Sequence, residues 1–327
     1  MSRRRVLVTG ASGFVGANLV RRLAADGHGV TATHRPGADL WRLRDATGHS
    51  LQPLDVCDEQ AVDALIDDTR PQWAFHMAAH GAYSWQTDAR QIFATNLIGT
   101  VNLVEACRRS GACEALVHAG SSSEYGFKDH APDEDDALEP ASDYAVAKAA
   151  ATLYGRQAAR EGDAMRVVTL RLYSVYGPYE DPRRLVPTLL ARGLQGELPP
   201  LVDPDVARDF VSVHDVVHAF LLAAAGAEHG TVYNVGSARQ TTIREIVQLT
   251  STALNLEAEP QWGSAAKRSW DTSTWVACID RIRRDLQWQP QIALDEGLRA
   301  MVCWLRGTVD AVADVYQAAH AGPVAGG

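Results

Sequence analysis

The amino-acid sequence predicts an α/β protein: a doubly wound parallel sheet followed by a smaller C-terminal lobe. Three observations predict it. Short β-branched runs alternate with helical stretches in the first half, a glycine-rich turn follows the first run, and the rhythm becomes irregular after Leu172, where prolines multiply. Strand–helix alternation of this kind builds a parallel sheet that helices cover on both faces.

The elements follow one another in regular order through the first half. β-Branched runs predict strands at residues 5–9, 30–33, 51–54, 73–76, 115–118 and 166–172. Apolar residues at helical spacing predict helices at residues 14–25, 58–69, 89–110 and 142–160, with Asp58 as the N-cap of the second. Beyond Leu172 we expect helices at residues 185–194, 213–225 and 242–254, and a looser tryptophan-rich region at 257–290.

Composition and charge narrow the class of protein. The chain has 327 residues, 46% hydrophobic and 22% charged, which is the balance of a soluble globular protein with one large domain or two. Its formal net charge of −9 argues against a surface built mainly for nucleic acid or anionic membranes. The longest apolar stretch, residues 216–227, is shorter than the roughly 20 residues that span a bilayer. We therefore expect neither a nucleic-acid partner nor a membrane protein.

The cysteines and the N-terminus indicate a cytoplasmic protein. The five cysteines are odd in number, widely spread and without a C-x-x-C pair, which fits neither a disulfide framework nor a zinc site. The basic start of the chain leads into only a short apolar run, Val6 to Val8, before the glycine-rich turn, so it does not resemble a secretory signal. We expect reduced thiols and no bound metal.

The glycine-rich loop joins the first predicted strand to the first predicted helix. Its glycines follow the spacing G-x-x-G-x-x-G at Gly10, Gly13 and Gly16. The first permits a tight turn, the second lets the backbone approach a pyrophosphate, and the third lets the helix pack closely on the strand. The helix N-terminus favours the anion. This context predicts a dinucleotide site that also includes Ser12, Phe14 and Val15.

The end of the second predicted strand bears on the choice of dinucleotide. An Asp or Glu usually stands there and binds the ribose 2′-OH of NAD. In this chain the strand is followed by His34 and Arg35, with no acid. An arginine in this place can hold the 2′-phosphate of NADP. We therefore predict NADP as the cofactor, with NAD as the alternative.

A tyrosine and a lysine on the fourth predicted helix offer acid–base chemistry. Tyr144 and Lys148 lie four residues apart, so they share one helix face. A tyrosine acts as an acid–base only if its pKa falls from about 10 toward neutrality, and a nearby ammonium favours the phenolate. Such a pair is common by chance, but beside a dinucleotide loop it predicts an oxidoreductase.

These motifs, together with Ser121-Ser122-Ser123-Glu124-Tyr125-Gly126, resemble the extended short-chain dehydrogenase/reductase family, in the subgroup that acts on nucleotide-activated sugars. The resemblance covers nearly the whole chain and implies a Rossmann-type fold. It implies that Ser121, four residues before Tyr125, hydrogen-bonds the reacting sugar oxygen beside the catalytic Tyr144 and Lys148, which also contact the cofactor. Further cofactor contacts are implied for Asp55, Val56 and Ala78.

Candidate substrate contacts follow from the same resemblance and from nearby aromatic and basic side chains. Arg208 is the best partner for a diphosphate, because a guanidinium binds phosphate through two hydrogen bonds. The segment 267–271 is a candidate to close over the nucleotide. His76 and His80 lie at a strand-to-loop junction, which does not fit a metal site. The full set of substrate candidates is His80, Tyr83, Ser122, Ser123, Tyr179, Arg183 and Arg208.

The resemblance also implies a division of the chain and a partner. We expect residues 1–172 to form the dinucleotide-binding domain and residues 173–327 the substrate domain, with about 208–238 returning to the first. The substrate is expected to be a nucleoside-diphosphate sugar. The protein is expected to be a homodimer that pairs the helices at 89–110 and 142–160 of two subunits.

Three reactions share this set of residues. We expect first the NADPH-dependent reduction of a nucleoside-diphosphate 4-keto-6-deoxyhexose at C4, second an NAD-dependent 4-epimerase, and third a 4,6-dehydratase. Dehydratases of the family carry an acid two residues before the tyrosine of the Tyr-Gly pair, where this chain has Ser123. The one acid here, Glu124, points away from the sugar if strand alternation holds. Ser174 also departs from the family, since many relatives have a phosphate-binding Asn there. A catalytically inactive dinucleotide sensor need not keep the three catalytic residues together.

Overall fold

A computed structural model of the chain describes residues 3–159, 165–266, 271–307, 315–316 and 319. The strands within them are β1 (Arg5–Thr9), β2 (Gly29–His34), β3 (His49–Pro53), β4 (Trp73–His76), β5 (Ala115–Ser121), β6 (Arg166–Leu172), β7 (Ser174–Tyr176), β8 (Ala207–Arg208), β9 (Phe210–Ser212), β10 (Val232–Val235) and β11 (Thr241–Thr242). The helices are α1 (Phe14–Ala25), α2 (Glu59–Thr69), α3 (Ala89–Phe93), α4 (Gly99–Ser110), α5 (Asp143–Ala159), α6 (Leu185–Gly193), α7 (Val213–Gly226), α8 (Ile243–Leu254), α9 (Asp280–Leu286) and α10 (Leu294–Gly307).

Seven of these strands form one parallel sheet in the order β10-β6-β5-β4-β1-β2-β3. Strands β1 and β4 are neighbours, and the chain proceeds outward from them in opposite directions. In open α/β sheets, ligands bind at the carboxyl ends of the strands where the order reverses in this way. The predicted doubly wound parallel fold is confirmed.

Helices cover both faces of the sheet because its strands are apolar on both sides. On one face α1 and α7 pack on the sheet, and Leu19 and Phe220 are fully buried there. On the other face α2 and α4 pack together, with Leu103 and Val104 in the core. The last sheet strand, β10, pairs with β6 although 60 residues or more separate them in sequence.

The C-terminal lobe has an apolar core of its own. Helices α6, α8 and α10 meet through Leu189, Ile246 and Leu298, each of which is fully buried. Two buried carboxylates join this lobe to the sheet region. Asp215 of α7 accepts hydrogen bonds from the backbone N–H groups of Gln291 and Ile292. Asp209 accepts others from residues 237, 238 and 277.

The predicted helix at 89–110 is interrupted, which corrects the sequence prediction. Residues 94–98 form a π-helical turn between α3 and α4. The amide of Asn96 lies in this turn and donates to the carbonyls of His80 (2.6 Å) and Ile92 (2.9 Å). The wider turn thus presents a buried side chain to the loop after β4, and such turns often occur at functional sites.

No helix among the described residues is long and apolar enough to cross a membrane.

Candidate active site

The glycine loop is packed so tightly that side chains would not fit. Gly10 has φ +64°, and a Cβ there would lie 2.5 Å from the backbone nitrogen of Ala78, just after β4. A Cβ on Gly16 would lie 2.4 Å from the Gly10 carbonyl oxygen. The loop therefore lies directly between β1, α1 and the loop after β4, as the glycine spacing predicts.

The N-terminus of α1 suits an anion. Its N-cap is Gly13, which has no side chain to cap the helix, and the first turn contains no acidic residue. The backbone N–H groups of that turn therefore retain donors for phosphate oxygens, and the helix dipole adds positive charge. These residues fit the pyrophosphate of a dinucleotide.

The predicted cofactor residues after β3 and β4 lie around the same end of the sheet. Val56 is buried, and its carbonyl oxygen accepts a hydrogen bond from Asn102. Asp55 is exposed and accepts from the Cys57 backbone N–H at 2.9 Å. Ala78 contacts the glycine loop, and of the loop's own side chains Val15 packs on the core and Phe14 against an aromatic cluster.

Arg35 is exposed in the turn that follows β2. Its charge acts on groups across the dinucleotide site. The pKa of His80 is lowered by burial and then by Arg35, and Arg35 opposes the rise that burial imposes on the pKa of the Cys57 thiol. Arg35 is thus close enough to act electrostatically on residues after β3 and β4, where the adenosine half of a dinucleotide binds in folds of this type.

The three predicted catalytic residues come together at the carboxyl end of β5. Ser121 ends that strand and lies beside Tyr144, which is half-buried on α5. Lys148 follows one turn later, fully buried, with its Nζ 6.0 Å from the centre of the Tyr144 ring and 2.9 Å from the carbonyl oxygen of Ala119, to which it donates. Helical spacing brings the tyrosine and lysine together, and the strand end supplies the serine.

Burial outweighs charge at Tyr144. Burial raises the pKa of Tyr144 to about 12, while the hydrogen bond from Ser121 and the charge of Arg184 lower it. Burial lowers the pKa of Lys148 to about 8. The sequence predicts a tyrosine pKa lowered by the lysine, whereas the free protein holds Tyr144 protonated. Tyr144 therefore carries its proton at neutral pH.

A polar chain that the sequence analysis missed lies behind Lys148. The fully buried His76 is 2.7 Å from Thr9 Oγ1 through Nδ1 and 3.1 Å from Thr100 Oγ1 through Nε2. Thr100 donates its own proton to Asn96 O, so His76 donates from Nε2 and accepts at Nδ1. Burial and then the Lys148 charge lower the pKa of His76 to about 3. A neutral His76 adds no second positive charge beside the lysine.

Glu124 is turned away from the catalytic hydroxyls. It is fully buried, with Oε1 accepting from the Ser121 backbone N–H at 2.8 Å and Oε2 from Arg171 Nε at 2.8 Å. Arg171 also donates to the Tyr125 hydroxyl, which donates to Asn234. Both carboxylate oxygens are thus engaged in holding the end of β5, and Glu124 is not available as an acid.

Two predicted substrate residues belong to a stack that faces the site from two segments. The rings of Tyr83 and Trp85 stack with centroids 4.6 Å apart, and the Arg183 guanidinium lies 3.8 Å from the Trp85 ring centre. Arg183 is also held by both oxygens of Asp181. The stack joins the loop after β4 to the segment before α6.

Tyr179 is a correction to the sequence analysis, which predicts that it reaches the substrate. Its side chain is 92% buried, its ring packs against Trp41 and Trp304, and its hydroxyl donates to Asp45 at 2.6 Å. The Arg21 guanidinium lies 3.8 Å above the ring. These contacts use both the ring and the hydroxyl, so Tyr179 anchors the loop rather than contacting a ligand.

The remaining substrate candidates lie on the lobe side of the site or near it. Arg208 pairs with Asp271 at 2.9 Å, so its guanidinium is already oriented by a carboxylate. Of the segment 267–271 only Asp271 lies within the described residues. Ser122 is buried in a small cleft that Trp275 also lines, and Ser123 lies 2.7 Å from Ser121 through their hydroxyls. His80 is tied to Asn96 by its backbone.

The sequence analysis also missed three charged residues, two in the segment before α6 and one in the turn between β2 and β3. Arg184 is the N-cap residue of α6, and its Nε lies 3.8 Å from a carboxylate oxygen of Glu180. Glu180 is buried with Oε2 unpaired among the described residues, and burial raises its pKa to about 8. Arg42 lies between the glycine loop and Tyr179. The only local signal was the position of Arg184 directly before the predicted helix.

A doubly wound sheet, an uncapped glycine-loop helix and adjoining serine, tyrosine and lysine side chains define a dinucleotide-dependent oxidoreductase of the short-chain dehydrogenase/reductase type. Comparison with known proteins makes the assignment specific. Residues 6–236 match the NAD dependent epimerase/dehydratase family. The chain belongs to this family and is an NAD(P)-dependent enzyme.

Several relatives span almost the same length as this chain. A UDP-glucose 4-epimerase of Mycolicibacterium smegmatis is 33% identical over 92% of this chain and 98% of its own. A dTDP-glucose 4,6-dehydratase of Neisseria meningitidis is 28% identical over 92% and 93% of the two chains. A GDP-6-deoxy-D-mannose reductase of Pseudomonas aeruginosa is 28% identical over 91% and 96%. The solved UDP-glucose 4-epimerase of Thermus thermophilus in complex with NAD has a TM-score of 0.82 and 31% identity, over 93% of this chain and all of that one.

Proposed function

We propose that the protein is an NADP-dependent 4-ketoreductase of a nucleoside-diphosphate 4-keto-6-deoxyhexose. The substrate class is supported by the names of the relatives, which act on UDP-, dTDP- or GDP-linked sugars. In this proposal residues 1–172 hold the dinucleotide. Residues 173–327, apart from the returning stretch at about 208–238, cover the sugar nucleotide, and Arg208 contacts its diphosphate.

The observation that carries the proposal is that both carboxylate oxygens of Glu124 are already hydrogen-bonded within the protein. A dehydratase removes a proton at C5 and expels the C6 hydroxyl, so it needs an acid and a base besides the tyrosine. Both oxygens of Glu124 are engaged by Arg171 and the Ser121 backbone, and Ser122 and Ser123 offer only hydroxyls. The groups that remain for the sugar, Ser121 and Tyr144, suit hydride chemistry at C4 without elimination.

In the mechanism, the side chains position the sugar and move one proton. The hydroxyls of Ser121 and Tyr144 hold the C4 oxygen, and Tyr144 donates its proton to that oxygen as the carbonyl becomes an alcohol. The Lys148 ammonium, below Tyr144, stabilises the phenolate that remains. The nicotinamide, when bound, supplies the hydride.

The cofactor assignment is supported by Arg35. No acid follows β2 to accept the ribose 2′-OH, and Arg35 is exposed in the turn directly after that strand. We expect Arg35→Asp to weaken NADPH binding by about 10- to 100-fold, the value of one or two charge-assisted hydrogen bonds, with NADH much less affected. Fluorescence titration measures both affinities. Equal affinities before and after the change would remove the NADP assignment.

The test of the reaction is turnover with labelled cofactor. We expect NADPH oxidation in step with the loss of an added NDP-4-keto-6-deoxyhexose, and deuterium from labelled NADPH at C4 of the product. UDP-, dTDP- and GDP-linked ketosugars should each be assayed. Formation of a 4-keto-6-deoxy product from an NDP-hexose would instead show that the enzyme is a dehydratase. Glu124 would then be the candidate acid for the elimination.

An NDP-sugar 4-epimerase with NAD is the second candidate, and a specific finding favours it. The relative with 33% identity is a UDP-glucose 4-epimerase, and the Thermus homologue is solved with NAD. An epimerase uses the same Ser121, Tyr144 and Lys148 but returns the hydride to the same carbon. Interconversion of two NDP-sugars without added cofactor and without deuterium incorporation would select this candidate.

We also propose that the protein is a homodimer through α4 and α5. Three large apolar side chains are exposed on these helices and the turn before α4: Ile98 (48%), Val146 (39%) and Leu153 (54%). Val146 and Leu153 are seven residues apart, so they lie on one stripe of α5. A four-helix interface would cover this stripe.

A further inference from the structure

Arg42 is a largely buried guanidinium without an acidic partner among the described residues. It lies in a short 3-10 turn between β2 and β3, and burial lowers its pKa. Its Nε donates to the carbonyl oxygen of Tyr179 at 2.7 Å, and its Nη1 lies 3.4 Å from the carbonyl oxygen of Ser12. Both hydrogen-bond acceptors are neutral carbonyls, and the guanidinium also lies 4.3 Å from the centre of the Trp41 ring.

Two acidic groups near Arg42 are engaged by other arginines, and a third, Glu180, is buried with its pKa raised to about 8, so it holds its proton at neutral pH. Asp39 pairs with Arg44 at 3.6 Å, and Asp181 binds Arg183 through both oxygens. A charge in a site of low polarity is costly unless an opposite charge compensates it. The position of Arg42 beside the glycine loop, where the helix N-terminus already favours an anion, identifies the missing partner as a phosphate.

We propose that Arg42 binds a phosphate of the dinucleotide and couples its binding to the position of the loop at residues 179–184. The phosphate is either the pyrophosphate or the ribose 2′-phosphate of the dinucleotide. Each of these groups is strongly anionic, and each binds near the glycine loop or the end of β2 in folds of this type. A guanidinium binds such a group through two hydrogen bonds.

The coupling passes through Tyr179. This residue has φ +69°, which a non-glycine residue adopts at some cost, and its contacts with Asp45, Arg21 and Arg42 hold it there. The next residues carry Asp181 and Arg183, which support the stack on Trp85, and Arg184, whose charge acts on Tyr144. When a phosphate fixes the guanidinium, the carbonyl of Tyr179 and the loop after it are fixed as well.

The first arm of the test measures dinucleotide binding. We expect Arg42→Met to weaken NADPH binding by about 10- to 100-fold in a fluorescence titration, as for loss of charged hydrogen bonds. An equal loss of affinity for NADH would show that Arg42 binds the pyrophosphate. A loss of affinity for NADPH alone would show that it binds the 2′-phosphate. Arg44→Met, an exposed neighbour, is the control and should bind both cofactors normally. Unchanged binding of both by Arg42→Met would overturn the proposal.

The second arm measures the loop by hydrogen–deuterium exchange at saturating dinucleotide. In the wild type, dinucleotide should slow exchange at Glu180, Arg183 and Arg184, whose backbone N–H groups donate within this loop. Arg42→Lys keeps the charge but not the planar fork, so it should retain most of the affinity and lose this protection. Protection of the loop by dinucleotide in Arg42→Lys equal to that in the wild type would overturn the coupling. Neither arm depends on which reaction the enzyme catalyses, so a failed reductase assignment leaves both readable.

Discussion

At the scale of single residues, burial and neighbouring charges have opposite effects on the pKa of Tyr144 in the active site. Tyr144 is held protonated, because its burial outweighs the Ser121 hydrogen bond and the positive charge of Arg184. Burial also lowers the pKa of Lys148 to about 8, so the ammonium remains the main form at neutral pH. Tyr144 therefore carries its proton at neutral pH, but the raised pKa makes it a weaker acid than a free tyrosine until the site binds its ligands. Bringing a positively charged nicotinamide close to the tyrosine in the oxidised state would favour the phenolate.

We expect Tyr144→Phe to lower kcat by about 10²- to 10⁴-fold while dinucleotide affinity stays nearly unchanged, because only the proton donor is lost. Lys148→Met should weaken both, since the family resemblance places this lysine against the cofactor. Steady-state kinetics and fluorescence titration measure the two effects. Wild-type turnover by the phenylalanine variant would contradict the assigned role.

The stability of the protein should depend on pH through Glu180. Burial raises its pKa from 4.5 to about 8, so the unfolded chain loses this proton before the folded one. Stability from this group is therefore present below pH 4.5 and is lost as pH rises to 8. We expect Glu180→Gln to gain about 1–3 kcal/mol relative to the wild type between pH 5 and pH 8 in urea unfolding. The exposed Glu197→Gln should show no such trend, and parallel profiles of the wild type and Glu180→Gln would contradict the argument.

The sequence predicts a site residue best where that residue belongs to a short sequence motif. Ser121, Tyr144 and Lys148 follow from two short motifs, and the structure brings them together at the end of β5, while their catalytic role stays a prediction. Tyr179 was wrong because its surroundings come from residues more than 130 positions away, such as Asp45. Arg42 and Glu180 were missed for the same reason, since neither lies in a recognisable local pattern.

At the scale of elements, the ends of β5 and β6 are joined by one buried ion pair. Glu124 in the turn after β5 and Arg171 of β6 are both essentially inaccessible. The pair extends through Tyr125 to Asn234 of β10, so three neighbouring strands share one polar network. The network fixes the strand end that carries Ser121.

We expect Arg171→Met to lower the free energy of unfolding by about 3–5 kcal/mol, because it leaves the Glu124 carboxylate buried without its partner. Urea denaturation measures the loss. The control is Arg299→Met, which breaks an exposed pair with Asp295 and should cost less than about 1 kcal/mol. A similar small loss in both variants would show that the Glu124–Arg171 pair does not hold the strand ends.

The bounds of helices and strands were predicted correctly where a regular apolar pattern runs the length of the element. The prediction failed where the contacts of one side chain change the course of the backbone. The bounds of β1, α1, β4 and β6 agree with the sequence prediction, because apolar runs and the glycine loop mark their ends. The helix expected at 89–110 breaks into α3, a π turn and α4 because Asn96 bonds to the loop after β4. Apolar spacing alone does not reveal such a contact.

At the scale of the whole molecule, α5 serves two surfaces. One face carries Tyr144 and Lys148 toward the sheet, and the other exposes Val146 and Leu153. A second subunit covering the exposed face would stiffen the helix that holds the catalytic pair. The proposed dimer is therefore relevant to the chemistry as well as to the assembly.

We expect Leu153→Glu to convert the dimer into a monomer, because it places a charge in the centre of an apolar four-helix interface. Sedimentation velocity measures the change in mass. The matched control is Leu51→Glu, which alters a leucine of similar type, 39% exposed on the edge strand β3, outside the proposed interface. This control should remain dimeric. Because the exposed stripe lies on the opposite face of α5 from Tyr144, the monomeric variant should still bind the dinucleotide. A wild-type protein that sediments as a monomer, or a Leu153→Glu variant that remains dimeric, would place the interface elsewhere.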